Sequence, residues 1–269
     1  MSEEPHLLAQ IDEGVLIVTL NRPDKLNALS GQMMQLFDDA VARLRDDADV
    51  GVMLIRATGR YFCSGADLRS GSPKEQPRTA TGIRENHRSG LFGMQRIYDE
   101  MEHIEKPIVC AVHSDCVGGG LEMALSCDFR LASENARFAF PEGLFGVLPA
   151  SNGVSRLTRI CGPHWARWLI MANMKADARK ALTMGLVHDI MPDDGFAEAT
   201  LEFCRHLTRN SAEQMGAAKI AIEMAAEVGR DTARHVERMA NSALMLNPEY
   251  LARIEQYVAK LGGKGRPGS

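Results

Sequence analysis

No stretch of this chain approaches the ~20 uninterrupted apolar residues that a membrane-spanning helix needs. No CxxC pair and no Cys/His cluster stands at zinc spacing. A transmembrane protein and a structural zinc module are therefore not expected, and no metal site is. A basic excess is missing as well: 31 Lys plus Arg face 35 Asp plus Glu, for a formal net charge of -4. That balance argues against wrapping a polyanion such as a nucleic acid. GxGxxG after a strand and GxxxxGK[ST] are both absent, which removes the dinucleotide and P-loop readings. The opening residues, MSEEPHLLAQIDEG, lack a basic run followed by an apolar one, so neither export nor membrane insertion is expected. Six scattered cysteines fit a reducing compartment, and a cytoplasmic location is the expectation.

What is present suffices for a large core. Of 269 residues, 45% are hydrophobic, enough for one large domain with an appendage or two modest ones. LLAQI, the acidic turn DEG and VLIVTL read as a hairpin. From Ser30 to Asp47, Met33, Met34, Leu36, Phe37, Ala40, Val41 and Leu44 recur at helical spacing behind a Ser cap, and the strand GVMLIRA follows. The grammar repeats when LFGMQRIYDEMEHIEK leads into IVCAV, which predicts a parallel, helix-covered sheet. The polar stretch from Arg69 to Gly90 reads as a loop. Beyond about Leu157 the pattern is helical, with a strand-like interruption at LVHDIM. We expect a core over 1–195 and a helical region over 196–269.

Three segments combine glycine, a strand end and a helix start. In RYFCSGADLRS, Gly65 lets the backbone turn sharply and leaves N–H groups near Ala66 free to bind an oxyanion. In SDCVGGGLEMALSCDF, Gly118, Gly119 and Gly120 open a helix whose first-turn N–H groups favour negative charge. In FAFPEGLFGVLP, Glu142 follows Pro141. Taken singly, each has an ordinary explanation: a glycine triplet as a packing site, Glu122 and Glu142 as charges near helix starts. Cys63 reads more readily as a packing residue than a nucleophile, and His113 as a structural histidine.

Together these segments, in order and over nearly the whole chain, resemble the enoyl-CoA hydratase/isomerase (crotonase) family, beginning at NRPDKLNALS. The resemblance implies an α/β fold, a crotonase-like spiral of ββα units followed by C-terminal helices that build homotrimers or hexamers. It implies that the backbone N–H groups of Ala66 and Gly119 hold a thioester oxygen, and that Glu122 and Glu142 act on water and a proton. Lys25, Leu26, Ala66, Asp67, Leu68 and Gly118 match positions that contact the CoA thioester, and Lys260 matches a basic residue that reaches CoA phosphates. The implied activity is hydration of a trans-2-enoyl-CoA to a 3-hydroxyacyl-CoA, with no cofactor beyond the CoA of the substrate. The alternatives are a double-bond isomerase or other acyl-CoA lyase, and a non-catalytic RNA- or protein-binding relative. The chain departs from the family where Pro-Gly-Ala-Gly-Gly reads as Pro149 to Gly153 with Ala150, Ser151 and Asn152 between, and where His113 and Ser114 replace Asn-Gly.

Overall fold

A computed structural model describes residues 4–68, 79–88 and 93–262. Strands β1 (Leu7–Asp12) and β2 (Val15–Leu20) form the expected antiparallel hairpin, closed by Glu13 and Gly14, both at positive φ. A 3-10 turn (Pro23–Lys25) leads to α1 (Gly31–Asp46), where the Ser30 side chain accepts from the Met33 N–H and the predicted apolar stripe is buried except for Leu36, which is half-buried.

The chain then alternates between two sheets. The pairs β3 (Val52–Ala57) and β4 (Tyr61–Cys63), β5 (Ile108–Val112) and β6 (Asp115–Val117), β7 (Phe129–Ser133) and β8 (Arg137–Ala139) each give one strand to either sheet. Helices α2 (Ala80–Arg88) and α3 (Met94–His103) follow the first pair, α4 (Gly119–Leu125) lies between β6 and β7, and α5 (Gly153–Ala166) follows the third pair. The six-stranded sheet runs β1-β2-β3-β5-β7-β10 and is parallel from β2 onward; the four-stranded sheet runs β4-β6-β8-β9. Strand β9 (Ala176–Asp177), α6 (Ala178–Thr183) and β10 (Asp189–Met191) complete them before α7 (Phe196–Thr208). This is the expected spiral. Strand β2 is buried at every position rather than alternately, because α1 packs against it as well as α7.

Two expectations need revision. The polar stretch 69–90 contains a helix, α2, at Ala80–Arg88, although residues 69–78 and 89–90 lie outside the described residues. The chain divides into compact units at Thr208/Arg209, not at 195/196. Helix α7 belongs to the first unit because Phe196, Leu201, Cys204 and Leu207 are buried and it packs on β2, β3 and β5. The second unit holds α8 (Ala212–Glu227), α9 (Arg230–Met245) and α10 (Pro248–Gly262). Among its described residues only Gly216 and Ala233 are buried within these helices, while Ile222, Met239 and Leu246 are largely exposed.

Candidate active site

The first of the three segments is pinned before it turns. Asn27, fully buried, donates through Nδ2 to the carbonyls of Thr58 (2.7 Å) and Tyr61 (2.9 Å), and its Oδ1 accepts from the Arg22 N–H. Arg22 in turn holds Asp67 at 2.6 Å. Beyond Cys63, Gly65 adopts φ +91, a region costly for residues with a Cβ. Leu29 donates to the Gly65 carbonyl and accepts from the Asp67 N–H, so the N–H of Ala66 between them has no acceptor among the described residues. The N–H of Gly119, first residue of α4, has none either. These two donors sit together: a methyl built on Gly119 would lie 3.6 Å from the Ala66 nitrogen, and one on Gly65 would lie 3.4 Å from the Gly119 nitrogen. A turn and a helix start thus present paired N–H groups to one space.

Glu142 lies against Gly118, and Glu122 follows Gly119 by three residues on α4. Glu122 lies in the first turn of α4 and is 3% exposed; its Oε1 accepts from the N–H groups of Ser151 (2.7 Å) and Gly153 (3.1 Å). Burial pushes its pKa up, while those donors and the Arg156 charge pull it back toward the ionised form. Glu142 opens a 3-10 turn (Glu142–Phe145). Its Oε2 is buried with no hydrogen-bond partner among the described residues, and a methyl on Gly118 would lie 2.8 Å from its Oε1. Burial, opposed by a hydrogen bond from its own backbone N–H and reinforced by the charge of Glu122, raises the Glu142 pKa to about 7. Gly118, at φ +54, is therefore held to glycine both by its backbone and by this close approach. One carboxyl has two backbone donors from another segment and the other has only its own N–H, with one oxygen left unpartnered among the described residues, a division of environments that can separate an acceptor from a donor of protons.

Lys25, Leu26, Ala66, Asp67 and Leu68 come together along one open cleft of about 550 Å³. Arg22 and Arg60 line it too, and sequence reasoning singles out neither. Lys260 is exposed on α10 in the second unit. Cys63 is fully buried with its thiol pushed up to about 12 by burial, as suits a packing residue rather than a nucleophile. His113 hydrogen-bonds the Gly59 carbonyl. Among the described residues no group of three or more His, Cys, Asp or Glu side chains could hold a metal ion, and no helix is long and apolar enough to cross a membrane.

Sequence reasoning also misses the frame beneath Glu122. Arg156 is buried and donates to Glu102, Asp99 and the Ser151 carbonyl, across separations of 54, 57 and 5 residues. Tyr98, fully buried, donates its hydroxyl to the Gly119 carbonyl at 3.0 Å. In the Pro149–Gly153 turn, where the chain departs from the family's glycines, the amides that meet Glu122 belong to Ser151 and Gly153, with Asn152 at φ +65 between them.

The profile of the family described as enoyl-CoA hydratase/isomerase matches residues 10–261. The chain is 29% identical over 254 residues to a 2,3-dehydroadipyl-CoA hydratase of Escherichia coli, covering 94% of this chain and 96% of that one. It is 32% identical over 227 residues to a short-chain-enoyl-CoA hydratase of Clostridium acetobutylicum, covering 84% of each. Among solved structures, an enoyl-CoA hydratase subunit from Geobacillus kaustophilus superposes with a TM-score of 0.86 at 28% identity, over 96% of this chain and 97% of that one.

Proposed function

This chain belongs to the enoyl-CoA hydratase/isomerase family, and from that premise we propose that it adds water reversibly across the Cα=Cβ bond of a trans-2-enoyl-CoA, giving a 3-hydroxyacyl-CoA. The thioester oxygen accepts from the N–H groups of Ala66 and Gly119, which are free for it. Glu122 as carboxylate takes a proton from water while the water oxygen bonds to Cβ. The π electrons move toward Cα and the thioester oxygen, where the developing enolate meets donors already in place. Glu142 as the neutral acid gives Cα its proton. The proton gained by Glu122 returns to Glu142 before the next turnover, so atoms and charge balance. The reaction is redox-neutral, and coenzyme A enters as part of the substrate.

The observation that carries this reading is the pair of carboxyls on the segments that bear the two free N–H groups: Glu122, with two backbone donors, three residues after Gly119 on α4, and Glu142, with an unpartnered Oε2, against Gly118. The arginines and Lys25 of the neighbouring cleft suit the phosphates of coenzyme A, with Leu26 and Leu68 beside the pantetheine; Lys260 is proposed separately as a contact to coenzyme A phosphate. A homotrimer or dimer of trimers is the proposed assembly, supported by the exposed apolar side chains of α8 to α10. Six free, buried cysteines support a cytoplasmic setting. Incubation with crotonyl-CoA and with a 3-enoyl-CoA in ¹⁸O-labelled water tests the reaction. Hydration puts the label on C3 of the crotonyl-CoA product; a double-bond shift without label means isomerisation, and no turnover of either defeats the reading.

A further inference from the structure

We infer that Arg156 is a positioning residue for this reaction, holding through Ser151 the pair of amide donors that grips Glu122. The inference rests on the hydratase reading for its kinetic consequence and on geometry alone for its structural one. Ser151 is the joint. Its carbonyl accepts from Arg156 Nη1 at 2.6 Å, and its N–H donates to Glu122 Oε1 at 2.7 Å, so one residue faces the guanidinium on one side and the acid on the other.

The guanidinium itself is fixed from α3. Its Nε and Nη2 meet the two oxygens of Glu102, each at 2.8 Å, in the parallel fork that only arginine can make, and Nη2 also donates to Asp99. The turn is fastened to the same helix at two further points. Gln95 Nε2 donates to the Ala150 carbonyl, and Asn152 Nδ2 donates to Asp99 Oδ1 at 3.1 Å. Residues 95, 99 and 102 occupy one face of α3, one turn apart. Asn152 meanwhile holds a left-handed backbone, a conformation that persists only where its surroundings impose it.

A purely architectural role would not need this placement. Burying a guanidinium to 5% exposure is costly, and an apolar side chain of equal volume often stabilises a core as well or better. What that replacement could not do is fasten the Ser151 peptide. The charged and titratable groups facing Glu122 are Arg156 from α5, Tyr98 from α3 and Glu142 from the 3-10 turn. Of these only Arg156 carries positive charge, and its charge favours the carboxylate that the water-activating step requires.

The full-length protein with Arg156→Lys, and separately Glu102→Gln, tests the inference. R156K keeps the charge and loses the fork; we expect kcat for crotonyl-CoA to fall about 10²-fold, the scale of a small misplacement of a reacting group, with KM within about threefold. E102Q, the milder change, should lower kcat about tenfold and serves if R156K does not fold. In R156K the acid limb of the kcat/KM profile moves to higher pH, and in both variants amide hydrogen exchange at Ser151 and Gly153 quickens while that of β3 stays as in the parent. Unchanged exchange at Ser151 and Gly153 in a folded variant overturns the inference, and so does a loss confined to KM or an acid limb unmoved in R156K. The exchange measurement needs no substrate. If the parent protein fails to hydrate any enoyl-CoA, the hydratase reading falls while exchange still decides whether Arg156 holds the frame.

Discussion

Glu122 and Glu142 are the same side chain set in opposite surroundings. Glu122 is the more deeply buried, yet it has two backbone donors, a helix start behind it and a guanidinium nearby. Glu142 is less buried but has an oxygen with no partner among the described residues, and the turn it opens continues into exposed Leu144 and Phe145. Burial raises both carboxyls, and the one it raises to about 7 is the less buried Glu142. The surroundings differ in their donors: two N–H groups from Ser151 and Gly153 and the Arg156 charge offset desolvation at Glu122, whereas at Glu142 its own backbone N–H offsets it and the Glu122 charge adds to the rise.

The largest test of this contrast is Glu122→Gln, which removes the proton acceptor but keeps the shape and one oxygen for Ser151 and Gly153. Hydration of crotonyl-CoA should fall about 10³-fold in kcat with KM little changed, as expected for an interaction that belongs to the transition state. Turnover near the parent rate would end the assignment. Glu142→Gln comes next, with a loss of about 10²-fold to 10³-fold and a change of pH profile that E122Q does not share. In the parent protein kcat/KM should decline as pH rises through about 7, where Glu142 gives up its proton, and that limb should disappear in E142Q.

Gly118→Ala sharpens the spatial side of the comparison. The added methyl meets Glu142 Oε1 and occupies a backbone region that suits glycine, so about tenfold in kcat and about 1–3 kcal/mol of stability should be lost. Glu122 should be less disturbed, and an acid limb shifted more than the basic one would reverse the account. A smaller effect concerns stability. Between the ordinary carboxyl value of 4.5 and about 7, native Glu142 keeps a proton that the unfolded chain has lost, so stability declines as pH rises through that window. Chemical denaturation should show E142Q level with the parent near the bottom of the window and more stable above it, by at most about 3 kcal/mol.

Much of the site was legible because its parts are local in sequence. A strand end with Gly65, a helix opened by Gly118 to Gly120 and the acids at 122 and 142 each announce themselves within a dozen residues. The alternation of strands and helices likewise foretold the parallel sheet, and the Ser30 cap marked the start of α1. What escaped is non-local or unpatterned. Arg156 meets Asp99 and Glu102 across more than fifty residues, and no spacing rule connects an arginine in one helix to acids in another. Helix α2 escaped because its sequence, ATGIRENHR, is polar and carries no apolar stripe for periodicity to detect. Helix α7 was grouped with the C-terminal helices because helical spacing shows which residues are buried but not against what.

The claim beneath all of this is that one site holds its two carboxyls in different protonation states near neutral pH. Carboxyl-region infrared titration of the parent protein, E122Q and E142Q, from about pH 5 to about pH 9, reads it directly. We predict a protonated-carboxyl band that fades near pH 7, persists in E122Q and is missing from E142Q. A band that survives E142Q and vanishes in E122Q would contradict the account.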